Sequence, residues 1–449
     1  MNKIDYVVTS TTKYIEQMTK AQRKKYGQFF TSKETAVFMA ELFDLQSASG
    51  TVSILDPGAG SGILSTALIE RMLDVAAITK IKLVCYESDT NILELLRSNM
   101  DWVCAHASKP IEYEIVADNY ILSQMADYNH MLWESPNPPK YDYVIGNPPY
   151  MKIPKDAPEA LAMPDVCYGA PNLYFIFASM SLFNLKSDGE MVYIIPRSWT
   201  SGAYFKKFRQ KFLDEGALEH IHLFVSRDKV FEKESVLQET IIIKVKKAKN
   251  KPQNVTITTT QSNADFSQKT VFHAPYDTVV NGKDQYVYLV TNAKEVETLE
   301  RLNRLPNTLP SIGLKMKTGL TVDFRNREAL RDHAEATAVP LFYSQHIKNG
   351  KVEFPIGKEH EYLVTEQNGL LQKNSNYLFV KRFTAKEEHR RLQCGIYLAR
   401  KHPEYREIST QNKINFICGL HELSECVVYG LYVLFNSCLL YTSDAADEL

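Results

Sequence analysis

The sequence lacks the features typical of a membrane protein, a secreted protein or a metalloprotein. Its seven cysteines form no CxxC pair and no cysteine–histidine spacing of a metal site, which predicts reduced thiols and no metal. No apolar run approaches the length of a membrane span, and residues 1–22 contain no apolar signal core. We therefore expect a cytoplasmic protein with no membrane partner.

An excess of charge of one sign is also missing. The 449 residues include 52 basic and 53 acidic side chains, so the formal net charge is −1 and any surface for nucleic acid must be local. Hydrophobic residues make up 44% of the chain, which is enough for two moderate cores. Two domains are therefore expected.

The most informative segment is a strand-like run that ends in a rigid polar turn, NPPY at 147–150. Its two prolines lack N–H donors and restrict the residue before each of them, so the carbonyl groups of Asn147 and Pro148 are held extended and unpaired. Two such acceptors and the ring of Tyr150 suit a planar amine, because the acceptors take its two N–H groups and the ring stacks on it. The alternative is a structural Pro-Pro turn with Tyr150 packed on the core.

Four successive predicted strands end at Asp56, Glu87, Asp118 and Asn147. These residues would share the carboxyl edge of a doubly wound sheet, where such folds bind ligands. The first strand leads into DPGAG at 56–60, which lacks the GK[ST] of a phosphate loop, and Asp56 favours a cation such as an ammonium. Glu87 is placed to accept ribose hydroxyls and Asp118 an adenine amino group, although each acid alone could equally be a solvated loop charge.

A further motif, GQFFT at 27–31, precedes an apolar stretch with helical spacing. Thr31 and Glu34 fit a capping box, which predicts a helix that begins near Ser32. The free N–H groups of that helix could face a carboxylate ligand, with Phe29 and Phe30 as walls. A well-capped structural helix is an equally good interpretation.

The C-terminal part of the sequence mixes short elements with basic and aromatic residues. A lysine-rich run at 246–252 predicts the end of the first domain. Interleaved charge and aromatic rings from residue 309 onward suit nucleic acid, with ordinary surface charge as the alternative. The chain changes character at 438–449, and we expect this tail to be non-native and the second domain to be incomplete.

In this order, GQFFT, DPGAG, NPPY and a basic, aromatic C-terminal part resemble the adenine-N6 DNA methyltransferases of type II restriction–modification systems, specifically the gamma type and its PstI/BsuBI-like group. The resemblance implies an α/β fold with a doubly wound, seven-stranded class I S-adenosylmethionine-dependent methyltransferase sheet in residues 1–250. It also implies a connecting segment at 251–308 and an α+β target-recognition domain at 309–437.

The resemblance assigns roles to individual residues. The expected cofactor-binding residues are Phe30, Thr31, Asp56, Gly58, Gly60, Glu87, Asp118 and Asn147. The expected catalytic residues are Asn147, Pro148, Pro149, Tyr150 and Phe231. Thr31 would hold the methionine end of the cofactor and Phe231 would be a second ring beside the target base. The family often has Phe directly after the acid at 118, whereas Asn119 and Tyr120 stand here, so the ring against the cofactor adenine is left open.

The expected reaction is transfer of a methyl group from S-adenosylmethionine to an adenine flipped out of double-stranded DNA. Two acceptors on the amino group localise its lone pair, so positioning suffices and no strong base or metal is needed. A cognate restriction endonuclease, where the system has one, would be a separate polypeptide, and the resemblance suggests CTGCAG as the DNA site. The alternative is a protein glutamine-N5 or RNA amino methyltransferase, because an amide nitrogen poses the same problem.

Overall fold

The protein is described here from a computed structural model, which covers residues 2–17, 30–129, 140–169, 171–224, 240–264, 266–384 and 392–437. The chain forms two compact units, Met1–Ala293 and Lys294–Leu449. Within the described ranges we find no helix whose length and apolar character would let it cross a membrane. The domain boundaries expected at 250 and 308 stay predictions.

The first unit is built on one large sheet with helices between its strands. Its strands are β1 (Gly50–Pro57), β2 (Ile78–Tyr86), β3 (Ile111–Val116), β4 (Tyr141–Gly146), β5 (Leu185–Pro196), β6 (Ala217–Phe224), β7 (Thr240–Lys246), β8 (Asn254–Thr260), β9 (Thr270–Pro275), β10 (Val280–Asn281) and β11 (Tyr286–Val287). Its helices are α1 (Lys3–Gln17), α2 (Lys33–Glu41), α3 (Ile63–Leu73), α4 (Leu93–Ala105), α5 (Tyr120–Tyr128), α6 (Pro158–Ala162), α7 (Leu173–Asn184), α8 (Lys206–Glu215) and α9 (Tyr276–Val279).

The large sheet has nine of these strands, in the order β3-β2-β1-β4-β5-β7-β6-β8-β9, and β10 and β11 pair with each other separately. Strands β1 to β5 run parallel, and β7 is antiparallel to both β5 and β6. The chain order reverses between β1 and β4, so the carboxyl ends of these strands frame a crevice of the kind that binds ligands in doubly wound folds. The predicted doubly wound fold is confirmed, with two strands more than the seven expected. Both extra strands, β8 and β9, come from the segment predicted to connect the domains.

The central strands are apolar because helices cover both of their faces. Ile54 and Leu55 of β1, and Val144 and Ile145 of β4, are completely buried. Leu55 pairs with Val84 of β2 on one side and with Val144 on the other. This register aligns the ends of the three strands, so that Asp56 near the end of β1, and Glu87 and Asn147 directly after β2 and β4, lie at the same edge of the sheet.

The second unit contains a six-stranded and a five-stranded sheet. Its strands are β12 (Leu314–Thr318), β13 (Leu330–Arg331), β14 (Val339–Phe342), β15 (Ile347–Lys348), β16 (Lys351–Val352), β17 (Tyr362–Leu363), β18 (Gln372–Lys373), β19 (Tyr377–Lys381), β20 (Cys394–Tyr397), β21 (Glu407–Thr410) and β22 (Ile414–Gly419). Its helices are α10 (Ala293–Asn303) and α11 (Glu425–Phe435). Val428 and Leu431 of α11 pack on Leu378 and Ile417 of the larger sheet. The unit has the α+β composition predicted for this part of the chain.

Most aromatic residues of the second unit form its core and are not available for stacking on nucleic acid. The buried rings are Phe342, Tyr343, Tyr377, Phe379 and Tyr397. They lie in or beside strands, where alternate side chains point to the same face. In these strands the aromatic side chains are on a buried face. Phe324, Phe383 and Tyr429 are exposed instead, at 62%, 64% and 48%, and Phe324 and Phe383 each have the guanidinium of a neighbouring arginine over the ring.

Candidate active site

A cleft of about 390 Å³ opens at the carboxyl ends of the central strands of the first unit. A volume of this size falls in the range of small-molecule sites. The predicted residues that line it are Phe30, Gly58, Gly60, Glu87, Asp118, Asn147, Pro148 and Pro149. Thr31, Asp56 and Tyr150 lie outside its walls, and Phe231 lies outside the described residues, as do residues 27–29 of the GQFFT motif. The described side chains include no group of three or more His, Cys, Asp or Glu that could hold a metal ion.

The DPGAG turn folds over the end of β2. The N–H groups of Gly58 and Ala59 both donate to the carbonyl of Tyr86, at 2.8 and 2.9 Å. Gly58 and Gly60 have φ of 80° and 57°, a left-handed backbone that glycine adopts without strain. Because these positions carry no side chains, the cleft is walled by bare backbone here and a ligand can approach it closely.

Glu87 is fixed by the backbone around it. Its Oε2 accepts the N–H of Gly60 at 2.8 Å and its Oε1 accepts the N–H of Asp89 at 2.9 Å. Burial raises the pKa of Glu87, and these two backbone hydrogen bonds counter that effect by favouring the carboxylate. Each oxygen keeps capacity for a further donor, which suits the two hydroxyls of a ribose.

Asp56 lies beneath the glycine turn and not on the cleft wall. It is fully buried, and its Oδ2 accepts the hydroxyl of Ser65 at 2.5 Å. Its Oδ1 has no hydrogen-bond partner within the described part of the chain. Burial raises its pKa to about 7, the Ser65 bond opposes this rise, and the charge of Glu87 adds to it. An orphaned buried acceptor fits a cationic group nearby, such as the ammonium of S-adenosylmethionine.

Aromatic rings complete the far side of the cleft. Tyr120 packs against Tyr86 and Phe177, with ring centroids 5.0 and 5.3 Å away, and all three rings line the cleft. Asn119 is occupied by the start of α5, where its side chain accepts the N–H groups of Ile121 and Leu122 at 3.0 and 3.2 Å. Tyr86, Tyr120 and Phe177 are therefore the rings that wall this side of the cleft, and which ring packs on a cofactor adenine stays a prediction.

Asp118 and Phe177 show what the sequence did and did not reveal about this side. Asp118 is exposed on the rim, and its Oδ1 accepts the N–H of Asn119 at 2.6 Å. Phe177 belongs to α7, whose residues are apolar almost all the way round. A half-buried ring in such a helix carries no local signal that would separate it from the core.

The NPPY turn follows β4, and its side chains are oriented by neighbours from distant parts of the chain. The Nδ2 of Asn147 donates to the hydroxyl of Thr31 at 3.1 Å. The hydroxyl of Tyr150 donates to the carbonyl of Ile194 on β5 at 2.8 Å, and its ring meets that of Tyr174 edge-on at 6.3 Å. Burial of its hydroxyl raises the pKa of Tyr150, so the group stays a neutral donor. The Tyr150 side chain is thus held both at its hydroxyl and at its ring.

The predicted capping box at Thr31 and Glu34 is wrong by one residue. Ser32 is the N-cap of α2, with extended backbone angles, and its side chain accepts the N–H of Thr35 at 3.2 Å. Ser32 and Thr31 are both good capping residues, and sequence spacing alone did not separate them. Because Ser32 caps the helix, the hydroxyl of Thr31 is available to Asn147.

The chain resembles known proteins along most of its length. Residues 73–231 match the family described as Eco57I restriction-modification methylase. The chain is 34% identical over 431 residues to the type II methyltransferase M.PstI of Providencia stuartii, which covers 93% of this chain and 83% of that protein. It is 32% identical over 428 residues to the type II methyltransferase M.BsuBI of Bacillus subtilis, with 92% and 83% covered. In fold it is similar to the type IIL restriction–modification enzyme MmeI, which was solved in complex with DNA, with a TM-score of 0.50 and 10% sequence identity. The match covers 96% of this chain and 61% of the MmeI chain.

Proposed function

This chain belongs to the type II DNA methyltransferases of restriction–modification systems, which use S-adenosylmethionine, and we propose that it methylates the N6 amino group of adenine in double-stranded DNA. The observation that carries the choice of an amino group is the NPPY turn, which puts Asn147, Pro148 and Pro149 on the wall of the cleft. Glu87, Asp118 and the glycine turn line the same cleft, so the cofactor and the target amine would meet there.

Asn147 and Pro148 would bind the target amine. The Nδ2 of Asn147 donates to Thr31, so its Oδ1 is the end of the amide that can accept from a base. The carbonyl of Pro148 accepts no hydrogen bond from the described residues and supplies the second acceptor. An adenine amino nitrogen is a poor nucleophile because its lone pair is delocalised into the ring, and two acceptors on its hydrogens draw the nitrogen toward a tetrahedral shape that localises the pair.

S-adenosylmethionine, when bound, supplies a methyl group on a positively charged sulfur. The residues of the chain need only hold the amine in position, and the N6 nitrogen afterwards releases its extra proton to water. We assign the ribose to Glu87, the cofactor adenine to Asp118 and the rings of Tyr120 and Phe177, and the ammonium to Asp56 and the glycine turn. Phe30 and Thr31 are assigned to the same site. Phe30 lines the cleft, and Thr31 is joined to it through its hydrogen bond with Asn147.

The acceptors lie inside a cleft, so a base within a duplex cannot reach them, and the adenine has to be flipped out. Flipping costs a few kcal/mol of unstacking, and a ring that stacks on the extruded base offsets part of that cost. Tyr150 suits this role because its hydroxyl is anchored on Ile194 and its ring cannot swing away. Phe231 is proposed as the second ring beside the target base.

The second unit is proposed to recognise the DNA sequence. Two of its exposed rings, Phe324 and Phe383, each lie beside an arginine, Arg325 and Arg382, and such pairs combine stacking with contact to phosphate. We propose that the protein acts in the cytoplasm and that any cognate restriction endonuclease is a separate chain.

Transfer of radiolabelled methyl groups tests this proposal. Wild type and Asn147→Ala are incubated with labelled S-adenosylmethionine and a duplex that carries CTGCAG, a duplex without it, RNA, or protein alone. We expect label in N6-methyladenine of DNA, identified by nucleoside chromatography, with wild type only. Label in a protein glutamine or in RNA would replace the proposal by one of those substrates, and full activity of Asn147→Ala on duplex DNA would refute the role of the NPPY turn.

A further inference from the structure

Two exposed tyrosines stand beside each other in the segments that follow the NPPY turn. Tyr168 is 58% exposed and Tyr204 is 62% exposed, and their ring centroids are 6.4 Å apart with the planes inclined by 46°. Gly169 supports Tyr204, because a Cβ at that position would lie 3.1 Å from the tyrosine ring. Met151, directly after the turn, is 53% exposed as well. Large apolar side chains that are exposed as a group usually mark a contact surface.

Packed aromatic side chains join this pair to the catalytic turn. The ring of Tyr174 lies 6.3 Å from that of Tyr150 and 6.0 Å from that of Phe205, the residue after Tyr204. The hydroxyl of Tyr174 is 3.1 Å from that of Ser198. The segment that carries Tyr204 is therefore linked to Tyr150 through the rings of Phe205 and Tyr174.

The base of the loop that carries Tyr168 is closed by the backbone. The N–H of Leu173 donates to the carbonyl of Met151 at 2.9 Å, and the N–H of Ile153 donates to the carbonyl of Pro171 at 2.8 Å. These bonds tie both ends of the loop together next to the NPPY turn. The position of Tyr168 thus depends on the turn that would receive the target base.

The segments that carry the pair have a small excess of positive charge. Lys152 and Lys155 are exposed and make no ion pair with the described residues, and Lys207 is exposed and donates to the carbonyl of Pro164 at 3.2 Å. Among the acids of the loop, Asp165 is neutralised by Lys211 at 2.5 Å.

The other two acids of the loop, Asp156 and Glu159, have no cationic partner among the described residues, so three lysines stand against two carboxylates and a single net positive charge is left. Glu159 accepts the side-chain N–H of Asn119 at 2.8 Å and is half-buried, whereas Asp156 is exposed. Exposed rings in segments that also carry exposed lysines are a combination that binds unpaired bases and phosphates.

We propose that Tyr168 and Tyr204 form a stacking platform for the bases that border the gap left in the duplex when the adenine is flipped out. This inference rests on the proposed function, because it assumes an extruded base. In this proposal the two rings contact the bases that stay in the duplex, whereas Tyr150 contacts the extruded adenine. The platform stabilises the open duplex without contacting the cofactor, so it acts on DNA binding and not on methyl transfer as such.

A duplex with an abasic site in place of the adenine that wild type methylates separates contacts to the remaining duplex from contacts to the extruded base. In this duplex no base enters the cleft, so contacts to Asn147 and Tyr150 are absent for every variant. We expect wild type to bind it more tightly than the intact duplex, and Tyr168→Ala and Tyr204→Ala each to lose about tenfold in affinity by fluorescence anisotropy. The double variant is expected to lose more than either single variant, and replacement by Phe at both positions to stay within about twofold of wild type, because the ring is kept.

Two controls define the outcome. Val271→Ala removes a side chain of β9 that is 53% exposed in the same unit and is expected to leave binding unchanged. A duplex without the methylation site reports binding that involves no gap, and there the alanine variants are expected to match wild type. Equal binding of the abasic duplex by wild type and the alanine variants would overturn the inference. It would also be overturned if the alanine variants lost as much affinity for the site-free duplex as for the abasic duplex. Thermal unfolding and S-adenosylmethionine affinity, which the platform does not touch, show that the variants are folded.

The failure of this inference and the failure of the proposed function give different results. If wild type transfers no label to adenine in DNA, the function is wrong and the platform loses its basis. If wild type methylates adenine and the alanine variants still bind the abasic duplex normally, only the platform is wrong.

Discussion

Thr31→Val tests whether the Thr31 hydroxyl orients the catalytic amide or binds the cofactor. Valine keeps the shape of threonine and removes the acceptor that the Nδ2 of Asn147 reaches at 3.1 Å. A neutral hydrogen bond of this kind contributes about 0.5–1.5 kcal/mol, which is about 2- to 13-fold in rate if the whole loss appears in the transition state. We expect kcat to fall by this amount, since the amide of Asn147 loses its fixed orientation, while KM for S-adenosylmethionine stays within about twofold.

Steady-state transfer of labelled methyl groups to duplex DNA measures both constants. Thr31→Ser keeps the hydroxyl and is expected to keep kcat within about twofold of wild type. Thr35→Val is the matched control, because it removes a hydroxyl at the same end of α2 that contacts Ser32 and not Asn147. A tenfold rise of KM for S-adenosylmethionine with kcat unchanged in Thr31→Val would refute the orienting role and assign the hydroxyl to the cofactor.

Three further substitutions test other parts of the site. Asn147→Ala is expected to lower kcat by about 10²- to 10³-fold, as loss of one preorganised group does, and to retain cofactor affinity in equilibrium dialysis. Burial raises the pKa of Asp56 from 3.8 to about 7, so between these values the native state holds more protons than the unfolded state and the free energy of unfolding falls as pH rises. Asp56→Asn is therefore expected to raise the free energy of unfolding above pH 7 by up to about 4 kcal/mol, to change it little near pH 4, and to weaken cofactor binding, as followed by urea titration and dialysis. Asn99 donates to the carbonyl of Ser61 in the glycine turn at 2.8 Å and accepts the hydroxyl of Ser10 from α1 at 2.6 Å, so Asn99→Leu is expected to weaken cofactor affinity by about tenfold at unchanged saturated kcat.

The polar residues in and beside the cleft could be predicted from the sequence because each lies at or just beyond the end of a recognisable parallel strand. Asp56, Glu87, Asp118 and Asn147 all stand directly or nearly directly after an apolar run, and parallel strands bring such positions to one edge. Local pattern is sufficient here, since the strand end and the polar residue are neighbours in the chain.

Long-range pairing and side-chain direction could not be predicted in the same way. Strand β8 follows a lysine-rich run that indicates a boundary, yet it pairs in parallel with β6, and nothing in its own seven residues specifies that partner. Phe177 lines the cleft from a helix that is otherwise core, and the aromatic residues of the second unit turn inward because strand alternation puts them on the buried face. In each case the decisive contact involves residues far apart in the sequence.

The one-residue difference between Thr31 and Ser32 connects helix capping with catalysis. A helix start has unpaired N–H groups, and the side chain that caps them is directed toward the helix. Ser32 takes this role, and Thr31 is left with a hydroxyl that meets Asn147 across a separation of 116 residues. If Thr31 were the cap, its oxygen would be committed to the helix and the amide of Asn147 would lack the acceptor that distinguishes its two ends. If the NPPY turn binds the target amine as proposed, the position at which α2 begins determines which end of the Asn147 amide faces the base, and a residue outside the turn sets that orientation.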